Sequence, residues 1–428
     1  MARRYDALVI GGGVAGSTAA ILLASAGWSV ALVEKRAFPR RKVCGECIAA
    51  PNLALLDLLG VGDALRALAG PPLERVALYA GDDELNANLP RTRGATPFAR
   101  ALGRERLDTL LLERAAELGA SVYQPWSVVD VERRGGEHVC TLATHRAGES
   151  ARVAARVLID AHGSWEPSPI AAVRSRVEAR GSDLFAFKAN FSGARLEPGL
   201  LPVLAFDGGY GGMVLADGGQ LTIACCVRRD ALRDARVNAA AGSAGAAVED
   251  LLRRSCAGVR RALHGAERVG TWLSVGPIRP GRRRLFSERG GFAVGNAAGE
   301  AHPILGEGIS MAMQGAFLLC ARLEEHRDAL LLGAGERAVA RLYSRDWRRA
   351  FGGRIRWAAL FAALAMRPAA RALLPALKAW PGLLTAGAIV GGKVRAAPVS
   401  PIFALAHSGE RLGRGSHAKV ASAPAAHR

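Results

Sequence analysis

Apolar and polar positions follow two rhythms along this chain, one of period two and one near 3.6, and their order predicts its architecture. A short apolar run, Tyr5 to Ile10, reads as a buried strand; the glycine-rich GGGVAG follows, and then a small-residue helix, Ala15 to Ala26. Gly27 stops that helix, and a second strand, Ser29 to Val33, ends at Glu34. Asn52 to Ala69 reads as one or two helices with Leu53, Leu56 and Leu59 on one face, and Arg104 opens an amphipathic helix ending at Gly119. Ala120 to Tyr123 is a strand. Val128–Arg133, His138–Thr144 and Ala151–Asp160 pattern as an antiparallel meander turning at Gly135-Gly136, its last member ending in a glycine as a parallel core strand does.

Between Phe185 and Val227 the texture changes to strands separated by glycine turns, a second sheet, followed by a helix over Ala246–Leu263. Residues Arg283 to Leu319 return to strand, glycine-rich loop and helix, a second piece of the first domain. After Tyr343 the chain is helical and apolar but broken by Pro368, Pro375 and Pro381, and from His407 it is polar, basic and expected to be disordered. The predicted fold class is α/β: a Rossmann-type domain (1–165 and 270–345) interleaved with a mostly antiparallel β-sheet substrate domain (166–269). A C-terminal helical cap (346–406) and a tail (407–428) follow. No internal repeat is visible.

The first thirty residues carry specific chemistry. In the G-x-G-x-x-G pattern, Gly11 permits the tight strand-to-helix turn, Gly13 lets a pyrophosphate approach the backbone, and Gly16 lets the helix sit close on the strand. The helix beginning at Ala15 offers free N–H groups and the positive end of its dipole to a diphosphate. Glu34, closing the second strand, can accept hydrogen bonds from a ribose diol. Strand, glycines, helix, second strand and acid in register point to dinucleotide binding. Lys35, Arg36, Arg40 and Arg41 could meet phosphate or solvent. Cys44 and Cys47 form C-x-x-C, but neither a thioredoxin-like context nor a second nicotinamide-binding glycine motif accompanies them; Cys44 reads as a loop cysteine near the cofactor and Cys47 as structural.

Composition narrows the class. The 428 residues are 50% hydrophobic and 22% charged, a globular balance. The net charge of +19 is spread along the chain without an aromatic-interleaved basic module, which argues against nucleic acid and for an anionic cofactor, an acidic carrier or a lipid surface. Seven irregularly spaced cysteines indicate a reducing cytoplasm. The N-terminus lacks the apolar stretch of a signal peptide, and no run near 18 apolar residues suggests a spanning helix.

The order of motifs resembles a known family. GxGxxG…E, then KVCGE, then R-x-x-L-D, then a strand ending in a glycine turn, then G-N-A-A-x-x-x-x-P-x-x-G-E-G-I is similar to the FAD-dependent monooxygenases of the aromatic-hydroxylase type, in their geranylgeranyl reductase-like branch. The resemblance spans residues 5 to about 320. It implies FAD as cofactor and NAD(P)H as electron donor. Gly11, Gly13, Ala15 and Gly16 would hold the pyrophosphate, with Glu34 and Lys35 at the adenosine ribose, Cys44 and Gly45 near the cofactor, Arg104 reaching it from its helix and Val128 near the adenine. Asn296 would lie beside the ribityl, and Pro303, Gly306, Glu307, Gly308 and Ile309 would wrap the flavin ring. The chain departs from the family at Asn296, where an aspartate is usual, and at His162, in the aspartate position of the A-D-G turn. It also departs at GYGGMV (209–214), which keeps Tyr210 but lacks the tryptophan and proline of Y-x-W-x-x-P. A halogenase's W-x-W-x-I-P and lysine are not found; Trp165-Glu166-Pro167 is not that motif.

Three readings remain open at this level: hydroxylation of a hydrophobic aromatic or polyketide-type substrate, saturation of double bonds in a lipid-like substrate, and flavin binding without turnover. The catalytic residues are unknown, with Cys44 and Tyr210 as candidates, and no metal site is expected. Trp357 to Leu384, with Arg367, Arg371 and Lys378, suits either a cap on the core or a helix pair lying on the inner face of a membrane. The oligomeric state is not legible.

Overall fold

The computed structural model describes residues 2–92, 96–144, 148–164, 170, 178–238, 242–367 and 374–390. The first strand, Arg3–Ile10, lies at the centre of a sheet in the order Ser121–Tyr123, Val30–Val33, Arg3–Ile10, Ser150–Asp160, Glu137–Ala143, Ser127–Arg134. The first four strands are mutually parallel and the last two continue as the antiparallel meander. The short strand Phe292–Ala293 pairs with the end of Ser150–Asp160, so the chain returns to this sheet after a long excursion. The parallel strands are apolar on both faces, because helices Val14–Ser25, Arg104–Glu117 and Gly308–Glu325 cover one side and the meander's cluster fills the other.

The second sheet has seven strands in the order Glu267–Ile278, Leu184–Ser192, Leu221–Arg228, Gly209–Leu215, Leu200–Phe206, Arg75–Ala80, Asp83–Asn88. All neighbours are antiparallel except Leu200–Phe206 with Arg75–Ala80. One face carries Phe187, Leu204, Phe206, Met213, Ile223 and Val227, packed against helices Ala244–Ser255 and Ala257–Ala262. The other face carries small residues in register. Ala205, Tyr210, Cys226 and Ala186 form one cross-strand row, and Val203, Gly212, Ala224 and Lys188 the next. Alanine and glycine at four of those eight positions leave space over the sheet, which becomes the cavity described below.

Three boundaries drawn from the sequence differ from these elements. Arg75–Asn88, read as part of the cofactor domain, supplies two strands of the second sheet; strand Glu267–Ile278 runs through the expected junction at 270; and the helix Glu336–Ala365 is continuous across residue 346. Strand partners far apart in sequence, such as Arg75 and Leu200, are chosen by packing and leave no local signal. The cap continues as helices Leu374–Ala379 and Gly382–Val390. Trp165 to Pro167, Pro368, Arg371 and the tail lie outside the described residues. Among the described residues no helix is long and apolar enough to cross a membrane.

Candidate functional site

The carboxyl ends of the parallel strands converge on one point. Gly11 N–H donates to the Val33 carbonyl at 2.7 Å, Ala161 N–H to Ile10 at 2.8 Å and Val294 N–H to Asp160 at 3.0 Å, so three strand ends and their loops meet there. Gly11 has φ of +103°, and a Cβ on it would stand 2.6 Å from the Ala161 carbonyl oxygen; only glycine makes this turn. A Cβ on Gly16 would lie 1.8 Å from the Gly11 carbonyl oxygen, which explains how closely the helix sits on the strand. Gly13 is different: a Cβ there would meet only Arg104 Nη2 at 3.7 Å and Arg40 Nη2 at 4.0 Å. The space before Gly13 is thus open, faced by two guanidinium groups and by the N-terminus of an eight-plus-residue helix, a cradle that fits a pyrophosphate.

The acid at the second strand is fixed. Glu34 is buried, and its carboxylate accepts the N–H of Gly12 at 2.8 Å and of Arg36 at 2.9 Å. Arg104 forks onto Asp108 at 2.7 and 2.8 Å, and Arg40 lies 3.6 Å from Glu34 and 4.0 Å from Asp108. Burial works against the charge of Arg104, but Asp108 and Cys44 outweigh it, and the guanidinium is held above its ordinary range. It stays charged at any working pH.

A cavity of about 590 Å³ runs from this cradle to the small-residue face of the second sheet. At the cradle end it is lined by Gly13, Ala15, Lys42, Cys44, Gly45 and Arg104; across from them stand Asn296, Glu300, Pro303, Gly306, Gly308 and Ile309. Gly295 and Ala15 nearly touch, since a Cβ on Gly295 would stand 2.8 Å from that of Ala15, and this joins the two glycine loops in one site. The far end is apolar, with Val203, Phe206, Met213, Phe361, Leu364 and Leu384 among its walls.

Of the residues singled out in the sequence, Gly13, Ala15, Cys44, Gly45, Arg104, Tyr210, Asn296, Pro303, Gly306, Gly308 and Ile309 all line this cavity. Gly11, Gly16 and Glu34 shape it from behind. Glu307 is buried and faces Arg354 at 3.5 Å, inside a polar network in which Arg354 donates to Gln314 and Gln314 to Asn52. Lys35 is half-buried beside Glu34 but does not line the cavity. Val128 lies in strand Ser127–Arg134, close to the expected Val128–Arg133, and packs against the cluster that includes Tyr5 and Leu8; Trp126, two residues earlier, donates its N–H to the Glu34 carbonyl at 2.9 Å. Cys47 is buried in a two-residue strand, and all seven cysteines are free thiols. His162 pairs with Asp160 at the strand end.

Several residues stand in the site that the sequence did not mark as such. Lys42 is half-buried in the cavity wall, and desolvation, then Arg104, then Arg40 pull its pKa down to about 8 against the opposing pull of Asp108. Glu300 is buried and moved upward by that burial, although Arg283 and Lys42 oppose the shift. It accepts from Arg283 at 3.3 Å and from Asn296 at 3.4 Å, while Asn296 also donates to Ser164 at 2.7 Å. Glu46 is the only described non-glycine residue with positive φ, at 60°. Its carboxylate accepts from the buried ammonium of Lys188, from the Thr222 hydroxyl at 2.6 Å and from the Arg104 N–H at 3.1 Å. Lys42 and Glu46 both belong to the KVCGE motif, so the signal was present; their roles depend on Glu300 and Lys188, which no spacing connects to it. Tyr210 is buried with its hydroxyl toward Cys226 and the Ile304 backbone, and burial pushes its pKa well above the ordinary phenol value, so it remains protonated.

A two-domain α/β fold with two glycine loops meeting at a guanidinium-flanked cradle defines a dinucleotide-dependent enzyme of the flavoprotein type. The chain belongs to the FAD binding domain family, whose match covers residues 4–351. It is 27% identical over 365 residues to a tryptophan 2-halogenase of Chondromyces crocatus, covering 83% of this chain and 66% of that protein. It is 29% identical over 328 residues to a geranylgeranyl diphosphate reductase of Rhodobacter capsulatus, covering 73% of each. Among solved structures it resembles a myxobacterial chondrochloren halogenase with a TM-score of 0.73 at 22% identity, covering 95% of this chain and 96% of the other. The chain therefore spans just under two thirds of the tryptophan halogenase's length.

Proposed function

We propose that this chain is an NAD(P)H-dependent flavin monooxygenase that hydroxylates a hydrophobic aromatic substrate of polyketide type. The observation that carries the reading is the cavity: apolar walls for a ring and its alkyl substituents, opening at one end onto the cofactor loops. FAD, when bound, supplies the redox chemistry, passing two electrons from the nicotinamide to dioxygen and one oxygen atom to the ring. The balance is a ring C–H, dioxygen, NAD(P)H and a proton giving the ring hydroxyl, NAD(P)⁺ and water.

The chain's own residues divide the remaining work. Gly13, Arg40 and Arg104 would hold the pyrophosphate and Glu34 the ribose. The N-terminus of helix Gly308–Glu325 directs positive potential at the flavin end of the cavity. Lys42, with its pKa brought down to about 8, can exchange a proton near neutrality at that end, and Glu300, moved upward by burial, stands in the facing wall. Tyr210 keeps its proton and can only donate.

A second reading, halogenation, is favoured by the halogenases among the relatives, although the chain lacks a W-x-W-x-I-P stretch. One assay separates the readings: aerobic incubation of the FAD-loaded protein with NAD(P)H, bromide and a panel of alkylphenols and alkenylphenols, with products read by mass. A gain of one oxygen supports hydroxylation, a gain of bromine in place of hydrogen transfers the assignment to halogenation, and a gain of two hydrogens refutes both in favour of double-bond saturation.

A further inference from the structure

The mouth of the apolar cavity and the exposed apolar surface of the protein are one feature. Among the described residues eleven large hydrophobic side chains are exposed, and seven of them, Trp357, Leu360, Leu364, Trp380, Leu383, Ile389 and Val390, fall in the C-terminal helices. Such concentration within one region is not the scatter expected of a solvated surface. Trp357, Leu360 and Leu364 share one face of the helix Glu336–Ala365 by their spacing of three and four. Leu364 and Leu383 are 39% and 48% exposed and also line the cavity, so the patch passes directly into its wall.

Charge selects what covers this patch. From Trp347 to Gly409 the chain has nine lysines and arginines and no aspartate or glutamate. Arg356 and Arg367 are exposed beside the apolar face, and Arg367 also lines the cavity. A second copy of the same surface would bring cation against cation. An anionic lipid surface satisfies both components, apolar side chains entering the acyl boundary and guanidinium groups meeting phosphates. No described helix is both long and apolar enough to span, so the contact is a peripheral one.

We infer that the rim formed by Trp357, Leu360, Leu364, Trp380 and Leu383 docks on an anionic bilayer and opens the cavity to substrate dissolved in the lipid. The inference deepens the reading of the cavity as a substrate chamber, but its test involves no turnover, so failure of the reaction assignment leaves it standing. The FAD-loaded full chain is sedimented with vesicles of phosphatidylcholine alone or mixed with phosphatidylglycerol. Binding is expected only with the anionic vesicles and is expected to weaken at high salt. Adhesion by net charge alone would behave the same way, so the deciding variants alter no charge: Trp357→Ser, Leu360→Ser and Trp380→Ser together, none of which lines the cavity. They are expected to lower partitioning about tenfold or more, given about 0.8 kcal/mol per buried methylene, with FAD content unchanged. Quenching of tryptophan fluorescence by brominated acyl chains should be lost with them.

No binding to anionic vesicles at low salt overturns the inference, as does binding that the serine variant leaves intact. A dimer in solution that the serine variant dissociates would reassign the patch to a second copy. Binding that appears only after deletion of residues 391–428 would reassign it to the chain's own C-terminus.

Discussion

Gly13 and Gly16 belong to one motif but carry different duties, and substitution separates them. At Gly16 an added methyl would stand 1.8 Å from the Gly11 carbonyl oxygen, far inside contact, and backbone cannot swing aside as a side chain does. Gly16→Ala must therefore push the helix off the strand, an overpacking cost of about 1–3 kcal/mol or more, felt with or without cofactor. At Gly13 the nearest protein atoms to the new Cβ are guanidinium nitrogens at 3.7 and 4.0 Å, and φ of −73° suits any residue. Gly13→Val should cost the apoprotein no more than about 1 kcal/mol, as a poorer helix cap. Its methyl groups occupy the pyrophosphate's place instead. Losing two charged hydrogen bonds at about 1.5–3 kcal/mol each weakens FAD binding roughly 10²- to 10⁴-fold. The assay pairs calorimetric unfolding of each apoprotein with FAD titration. Gly13→Val should unfold near the parent temperature and fail to retain FAD; Gly16→Ala should unfold well below it. A folded Gly13→Val protein with parental FAD affinity would refute the placement of the cradle.

Lys42 provides a pH test. Its ammonium form, present below a pKa of about 8, favours the anionic cofactor, so FAD affinity should decline as pH rises through about 8. The sign for the apoprotein is opposite: a lysine depressed from 10.5 to about 8 penalises the fold while charged, so stability should rise across that window, and Lys42→Met should flatten both profiles. Breaking the buried pair on one side, by Glu46→Gln or Lys188→Met, should destabilise by about 3–5 kcal/mol, while the double variant should cost less than the sum, as read by a double-mutant cycle in urea. Cys44→Ala should keep FAD bound yet alter turnover with substrate; unchanged kinetics would make Cys44 structural.

The cofactor half was legible because its determinants are consecutive. Tyr5 to Glu34 is a complete strand–helix–strand unit, and Gly295 to Ile309 another loop-to-helix, so every functional group stands a few residues from its structural cause. The substrate half was legible only as texture. Its strands were visible as apolar runs with glycine turns, but the addition of Arg75–Asn88 to their edge depends on pairing Leu200–Leu204 with Arg75–Tyr79, a contact spanning more than a hundred residues. The cavity was hidden for a related reason: Ala186, Ala205, Gly212 and Ala224 are unremarkable one by one, and become a floor only when four strands align them.

The KVCGE stretch shows how far a motif can mislead while being correctly noticed. Cys44 within it and Cys47 just after it invite a redox reading, yet neither is in a disulfide and Cys47 is sealed in the core. The informative residues are the alternating ones. Lys42 faces the cofactor end of the cavity, Cys44 its wall, and Glu46 the Lys188 ammonium on the second sheet. To place Glu46 there the backbone takes a left-handed conformation costing about 1–2 kcal/mol for a residue with a Cβ, and three donors to its carboxylate offset that cost. Glycine would relieve the strain but could bind none of the three. The charge at this position is thus held against local backbone preference, and it ties the helix that presents Arg104 to the sheet that presents Tyr210. Asp217 adds a second tie between the same helix and sheet, accepting from the Gly103 N–H at 2.7 Å and from Arg106 at 2.8 Å.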